Sequence, residues 1–365
     1  MNIKKTSNLL RMIAFFLTAI ILCCTFGFTV DGWFDDSNDE NHIIHKPNND
    51  TSQNEEVGSP PDINKPEEII PLFYNQLTGL ICSEEEYNSF IISYILTQDA
   101  EYGLSSSDIV IEIPVENNET RLISISKYSK VHNKIGSFAP ARSQILDILS
   151  NLSDVSVSYG YDDNIISQEN TNTAANTDLS INGYYYNEFG EKAYSNSEML
   201  DVAIKSIVID RDISQRESSL LNFCDCENPI TLGNYNASLV EINNCVSKNL
   251  SFVYNAEFSE YNIYINNVKS FDRATGTDLF FTNCLILFSD FITYEKSDYT
   301  QSVINSTEGK GYYFTMGGIK EIYWSFNSNG EISFLDELNN PIVFNRGKTY
   351  ISILKSSQIS TVEYS

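Results

Sequence analysis

The sequence predicts a mixed α+β fold, with an α/β first domain and a mostly antiparallel β second domain behind an N-terminal membrane segment and a disordered linker. In the first half, β-branched strand patterns mix with a helical period. In the second half, apolar runs alternate with turn dipeptides. These features divide the 365 residues into a signal or anchor (1–30), an acidic linker (31–70), an α/β N-terminal domain (71–215) and a mostly β C-terminal domain (216–365).

The N-terminus carries a nineteen-residue uncharged run, 12–30, behind Lys4, Lys5 and Arg11. At about 1.5 Å per residue a helix of this length just crosses a hydrocarbon core of about 30 Å, and the basic cluster holds its start in the cytoplasm. Three interpretations stay open: an uncleaved anchor, a lipoprotein signal with Cys24 as the lipidated residue, and a cleaved secretory signal. The first two predict folded domains held outside the cytoplasm at the cell membrane.

The linker is predicted from composition, since 31–68 holds eleven acids, two lysines, four prolines and few apolar residues. Such a segment buries too little surface to offset its ordering entropy. The whole chain is acidic as well, with 49 Asp+Glu against 23 Lys+Arg. That balance excludes nucleic acid as a partner, because nucleic-acid binders need a basic surface.

Within the first domain, apolar runs bounded by polar turns predict strands at 89–97 and 108–115, and strict alternation of apolar and polar residues predicts a strand at 121–128. A further strand is predicted at 155–159. The spacing of Ile145, Ile148, Leu149 and Leu152 predicts a helix over 139–152. Ser195 and Glu198 form a capping-box pair that predicts the start of a second helix.

In the second domain, strands are predicted at 252–258, 261–266 and 279–291, followed by a β-meander from Gly311. Gly317-Gly318 and Asn329-Gly330 are dipeptides suited to type I′ hairpin turns. Regular turn spacing without a long helical period predicts a mostly β domain.

Two arginines are candidate ligand-binding residues. Arg121 stands in an otherwise apolar strand, where an unpaired charge is costly. Arg142 stands in the first turn of the predicted helix, where amide donors favour anions. Binding of an anion or carbohydrate and structural pairing with an acid are both open interpretations.

Seven cysteines include Cys224, Cys226 and Cys245, which offer three soft ligands and so fall one short of a closed zinc site. A disulfide from Cys245 to one member of the Cys224/Cys226 pair is the alternative to unbridged thiols. His132, in a polar loop, has no nucleophile-elbow spacing near it. We therefore predict no metal, no cofactor and no catalytic residue.

Several stretches resemble, in order, the motifs of the YerB-like lipoproteins, a bacterial family of paired N- and C-terminal domains of unknown function. The stretches are 76–80 (QLTGL), 103–110, 135–142, 272–276 (DRATG), 309–324 and 347–351 (GKTYI). Ala139 stands where the family pattern has an arginine, and the family's Pro-His-Asn-Leu segment is missing after Ala193. The resemblance thus implies the two-domain fold and an envelope location rather than a shared activity.

Together these features predict a membrane-anchored extracytoplasmic protein that acts as a non-catalytic binding or scaffolding module at the bacterial cell envelope. Its expected partners are the membrane, through the N-terminal segment, and an envelope protein or wall component. The alternative is a cell-wall-directed hydrolytic enzyme with an interdomain cleft.

Overall fold

The computed structural model describes residues 72–116, 119–128, 134–159, 175–178, 194–196, 204, 221–225, 228–233, 236–245, 248–295, 300–327 and 331–365. The predicted membrane segment, the linker and the domain boundary between 215 and 216 lie outside these residues. Within them, no helix is long and apolar enough to cross a membrane.

Strands dominate the first half of the described chain. They are β1 (Phe73–Tyr74), β2 (Ile81–Cys82), β3 (Ile91–Thr97), β4 (Ile109–Pro114), β5 (Thr120–Lys127), β6 (Lys134–Gly136), β7 (Val155–Ser158), β8 (Ala175–Asp178) and β9 (Tyr194–Asn196). Two short helices, Glu84–Asn88 and Ser143–Leu149, and one 3-10 turn, Leu104–Ser106, accompany them.

The second half adds strands and a second 3-10 segment, Ser356–Thr361. The strands are β10 (Leu239–Cys245), β11 (Lys248–Asn255), β12 (Glu260–Ile265), β13 (Val268–Lys269), β14 (Phe280–Phe281), β15 (Asn283–Ser289), β16 (Phe291–Glu295), β17 (Thr300–Ile304), β18 (Glu308–Thr315), β19 (Gly318–Phe326), β20 (Ile332–Leu335), β21 (Thr349–Lys355) and β22 (Val362–Tyr364).

A ten-stranded sheet in the order β20-β19-β18-β15-β21-β4-β5-β3-β7-β8 runs through both halves. The late strand β21 lies between β15 and β4 and is parallel to both. β3, β7 and β8 are also mutually parallel, and the other pairs in this sheet are antiparallel. One strand from the end of the chain thus joins the two sequence halves by backbone hydrogen bonds.

Both faces of this sheet are covered. One face shares an apolar cluster with helix Ser143–Leu149, and the other shares a cluster with a six-stranded sheet in the order β13-β12-β11-β10-β22, with β14 paired to β12. Every residue of β3, β4 and β5 is buried. Burial on both faces explains the near-continuous apolar runs of β3 and β4, whereas β5 alternates apolar residues with the buried Ser124 and Ser126.

The structure is mostly β, and the described residues of the first domain contain less helix than predicted. The predicted helix over 139–152 shortens to Ser143–Leu149. Ser195, the predicted N-cap, lies instead in β9, which pairs antiparallel with β6. A β partner at this position outcompetes the local capping pattern. Ile204 is helical and buried, and the rest of the second predicted helix lies outside the described residues.

The hairpin between β18 and β19 turns one residue earlier than predicted. Thr315 pairs with Gly318, so Met316 and Gly317 are the turn residues, with φ of 52° and 71°. Two successive positive φ angles define a type I′ turn. Methionine thus takes the first left-handed position, while the predicted Asn329-Gly330 turn includes residues outside the described part of the chain.

Candidate functional site

A cleft of about 440 Å³ opens between the ten-stranded and the six-stranded sheet, and we call it the intersheet cleft. Its size lies within the range of small-ligand sites, about 300–1,000 Å³. Most of its wall is apolar, with side chains from both sheets and their connections. Six of these are Leu104, Val110, Leu122, Ile263, Leu279 and Phe281.

Strand alternation explains why apolar residues of β4 and β5 reach the cleft. Val110 and Leu122 belong to the apolar cluster that faces the six-stranded sheet, whereas their neighbours Ile111 and Ile123 belong to the cluster on the helix side. Successive side chains of a strand point to opposite faces, so one strand serves the cleft and the opposite core at once.

The polar end of the cleft is formed by Lys248 and Tyr350, which meet at the carboxylate of Glu112. Lys248 Nζ lies 2.6 Å from Glu112 Oε1, and the Tyr350 hydroxyl donates to Glu112 Oε2 at 2.6 Å. The Thr120 hydroxyl also donates to Oε1, at 2.7 Å. The Glu112 side chain is 1% exposed and that of Lys248 is 9% exposed, so the ion pair is almost fully withdrawn from solvent.

Opposing effects set the pKa of Glu112. Burial on its own would raise it, but the charge of Lys248 and the hydrogen bonds from Lys248, Tyr350 and Thr120 lower the pKa below its ordinary value. The carboxylate is therefore ionised at neutral pH and held by three donors, and it is poorly suited to general acid chemistry.

Balanced charge and exposed apolar groups surround the mouth of the cleft. Lys269 pairs with Asp278, and Arg273 pairs with Glu101 at 3.0 Å; all four side chains are partly exposed. Val268 and Phe271 are exposed nearby by 67% and 49%. The mouth thus offers apolar contact without a net charge from these two pairs.

The structure brings Arg121 and Arg142 together on one carboxylate, that of Glu116. Arg121 Nη2 donates to Glu116 Oε1 at 2.7 Å, Arg142 Nε donates to Oε2 at 3.0 Å, and Arg142 Nη2 also donates to Oε1. Arg121 Nη1 reaches Glu119 at 3.1 Å. All but Glu119 are largely buried. This arrangement is the structural ion pairing left open by the sequence, and anion binding by the two arginines stays a prediction.

The predicted disulfide residues are only partly described. Cys224 is buried, forms no disulfide, and its Sγ lies 3.5 Å from Asn345 Oδ1. Cys226 and the side chain of Cys245 lie outside the described part of the chain, as do Cys24 and His132. Among the described residues no group of three or more His, Cys, Asp or Glu side chains is placed to hold a metal.

The sequence motifs meet inside the fold, and four of their residues, Leu104, Val110, Arg273 and Tyr350, also line the intersheet cleft. The fully buried Asp272 of the DRATG stretch accepts hydrogen bonds from Gly103 N, Ser105 N and the Ser105 hydroxyl. Gly347 N donates to Thr78 O, which joins the GKTYI and QLTGL stretches. These motifs therefore hold the N-terminal and C-terminal halves together.

Sequence reasoning missed the Glu112–Lys248 pair. Glu112 stands in an apolar strand just as Arg121 does, and this was the available signal. Its partner could not be named, because Lys248 comes from another sheet and resembles a surface residue in sequence.

Fold and site define a two-domain, mostly β protein whose halves share one sheet and enclose a ligand-sized cleft beside it. Family models match both halves: a protein of unknown function (DUF3048) N-terminal domain over 77–207 and its C-terminal domain over 240–351. The chain therefore belongs to the YerB-like two-domain family of unknown function, as its motifs predicted.

The crystal structure of YerB protein from Bacillus subtilis has a similar fold, with a TM-score of 0.67 and 20% sequence identity. The alignment covers 80% of this chain and 99% of that one. No protein among those with curated descriptions matches the chain. At this identity the likeness concerns the fold alone.

Proposed function

We propose that this protein is a membrane-anchored, extracytoplasmic binding module of the cell envelope without catalytic activity, and that the intersheet cleft is its binding site. The observation that carries the proposal is the combination of apolar walls with a closed inner end, where Glu112 is held by three donors. A carboxylate engaged in this way favours ligand placement over proton transfer.

The anchoring half of the proposal rests on the uncharged run 12–30 behind a basic cluster. It is tested with the full-length chain carrying a C-terminal tag in bacterial cells. We expect the tag to sediment with membranes and to be removed by protease added to protoplasts. A soluble cytoplasmic tag, or one protected from protease, would contradict the proposal. Incorporation of a labelled fatty acid that Cys24→Ser abolishes would assign a lipid anchor, and absence of incorporation would assign a transmembrane helix.

The binding half is tested by incubating detergent-extracted full-length protein with peptidoglycan, teichoic acid and membrane extracts. We expect saturable binding to one fraction, reduced about tenfold by Val268→Asp at the cleft mouth. Leu338→Asp is the matched control, because Leu338 is exposed by 74% and does not line the cleft. Equal binding by the two variants would show that the intersheet cleft is not the binding site. Release of soluble wall fragments would support the hydrolytic alternative.

A further inference from the structure

The inner end of the intersheet cleft has donors to spare. Among the described residues, Glu112 is the acceptor that Lys248 Nζ contacts. An ammonium group carries three N–H donors, and one of them is used here. The Lys248 side chain is 9% exposed, and it lines the cleft. A buried donor without a protein acceptor gains most from an acceptor that a ligand brings.

Glu112 is a poor acceptor for a ligand, because its side chain is 1% exposed and its oxygens already take hydrogen bonds from Thr120, Lys248 and Tyr350. Its negative charge balances that of Lys248. A ligand carboxylate placed beside Lys248 would also lie close to Glu112 and would meet like-charge repulsion. A ligand cation would meet the ammonium itself.

The remaining wall is apolar, and the exposed Val268 and Phe271 extend this surface to the mouth. The ion pairs Lys269–Asp278 and Arg273–Glu101 at the rim each sum to zero charge. The exposed Asp99 also lines the cleft and adds a negative charge, which disfavours an anionic ligand. A long apolar body gains burial along the cleft.

Resting on the proposed binding function, we infer that the intersheet cleft takes an uncharged amphiphile: an apolar chain that presents a neutral hydrogen-bond acceptor, such as an ester or amide carbonyl, to Lys248. The chain lies between the two sheets, and the carbonyl takes one of the two N–H donors of Lys248 that no described residue accepts.

The test uses full-length protein and four probes with the same twelve-carbon chain: methyl laurate and dodecane below their solubility limits, and laurate and dodecyltrimethylammonium below their micellar concentrations. Each probe competes with the neutral fluorophore N-phenyl-1-naphthylamine. We expect methyl laurate to bind about tenfold more tightly than the other three, the usual gain from one hydrogen bond to a charged group.

Variants isolate the role of Lys248. In Glu112→Gln the lysine charge is unbalanced, so we expect the preference to move from the ester to laurate. In Glu112→Gln/Lys248→Met the ester should lose about tenfold in affinity while dodecane is unchanged. Lys320→Met is the control, because that lysine pairs with Asp336 outside the cleft and should change nothing.

The probe series distinguishes a failure of the cleft as a binding site from a failure of the proposed ligand class. Wild-type protein that binds neither the fluorophore nor any probe would overturn the cleft as a binding site. Saturable binding with laurate or the cation preferred would keep the binding site and overturn the ligand class. The wild-type series decides this point even where a variant does not fold.

Discussion

Ser105 and Asp272 lie 167 positions apart in the chain and are joined twice: the Ser105 hydroxyl donates to Asp272 Oδ2 at 2.7 Å and the Ser105 amide donates to the same oxygen at 2.9 Å. Oδ1 of the same carboxylate accepts from Gly103 N and Ala274 N. One fully buried side chain thus ties a loop of the N-terminal half to a turn of the C-terminal half.

Replacing Asp272 by Ala removes the acceptor of four hydrogen bonds. Buried donors left without a partner cost about 1–3 kcal/mol each, so we expect a loss of at least about 3 kcal/mol in the free energy of unfolding. Urea unfolding followed by Trp324 fluorescence measures it, since Trp324 is 3% exposed. Asp278→Ala is the control on a nearby exposed ion pair and should cost at most about 1 kcal/mol. Equal losses would contradict the role given to Asp272.

Glu116→Gln should strongly destabilise the protein, because it removes the buried counter-charge that Arg121 and Arg142 share and leaves Arg121 with the half-exposed Glu119. Breaking a buried ion pair costs about 3–5 kcal/mol. Glu119→Gln removes a half-exposed partner of Arg121 and should cost at most about 1 kcal/mol. A mild effect of Glu116→Gln in thermal or urea unfolding would show that the arginines need no structural partner, and would favour their role as an anion site.

Gly347, whose amide joins two motifs, occupies a position where a larger side chain would overlap its surroundings. Its φ is +141°, and a Cβ at this position would overlap the Thr282 hydroxyl and lie 2.6 Å from Thr282 Cβ. We expect Gly347→Ala to cost about 3 kcal/mol from backbone strain and overlap combined. Gly276→Ala, at φ +71° with open space around it, should show the strain alone, about 1–2 kcal/mol. Equal melting temperatures for the two variants would contradict this assignment.

Acid should weaken the fold in part through Glu112. Its folded pKa lies below the ordinary value of 4.5, so the unfolded chain binds the proton more readily. The stability from this group is therefore fully present above about pH 4.5 and is lost as the pH falls through the folded pKa. The Glu112→Gln/Lys248→Met variant lacks this component.

The measurement is urea unfolding of both proteins between about pH 7 and pH 3. The stability difference, wild type minus double variant, should fall with acidification below about pH 4.5. A difference that stays constant or grows toward low pH would contradict a lowered pKa. At neutral pH the double variant should be close to wild type, since replacing a whole buried pair is often neutral.

Cys224 forms no disulfide in the structure. Of the two predicted disulfides, the one between Cys226 and Cys245 therefore stays a prediction. Non-reducing denaturation and alkylation of the chain, followed by peptide mass spectrometry, should label Cys82, Cys224 and Cys284 and leave a Cys226–Cys245 bridge. Labelling of all five cysteines beyond residue 30 would rule out the disulfide.

Local patterns predicted much of the fold, since β3 and β4 carry apolar runs, β5 alternates apolar and polar residues, and the helix at Ser143–Leu149 has a clear period. The insertion of β21 between β15 and β4 could not be predicted, because it depends on pairing between distant segments that no local period encodes. The candidate site was likewise predictable only where a local pattern marked it. Arg121 stood out as a charge in an apolar strand, but its convergence with Arg142 on Glu116, and that of Lys248 on Glu112, are properties of the assembled sheets.

Methyl NMR of the full-length protein titrated with methyl laurate tests the central claim most directly. Val110 and Leu122 line the intersheet cleft, while their strand neighbours Ile111 and Ile123 face the opposite core. We expect saturable shifts of the Val110 and Leu122 methyl signals, with much smaller changes at Ile111 and Ile123. Saturation of binding with shifts confined to the opposite face, or with no change at Val110 and Leu122, would contradict it.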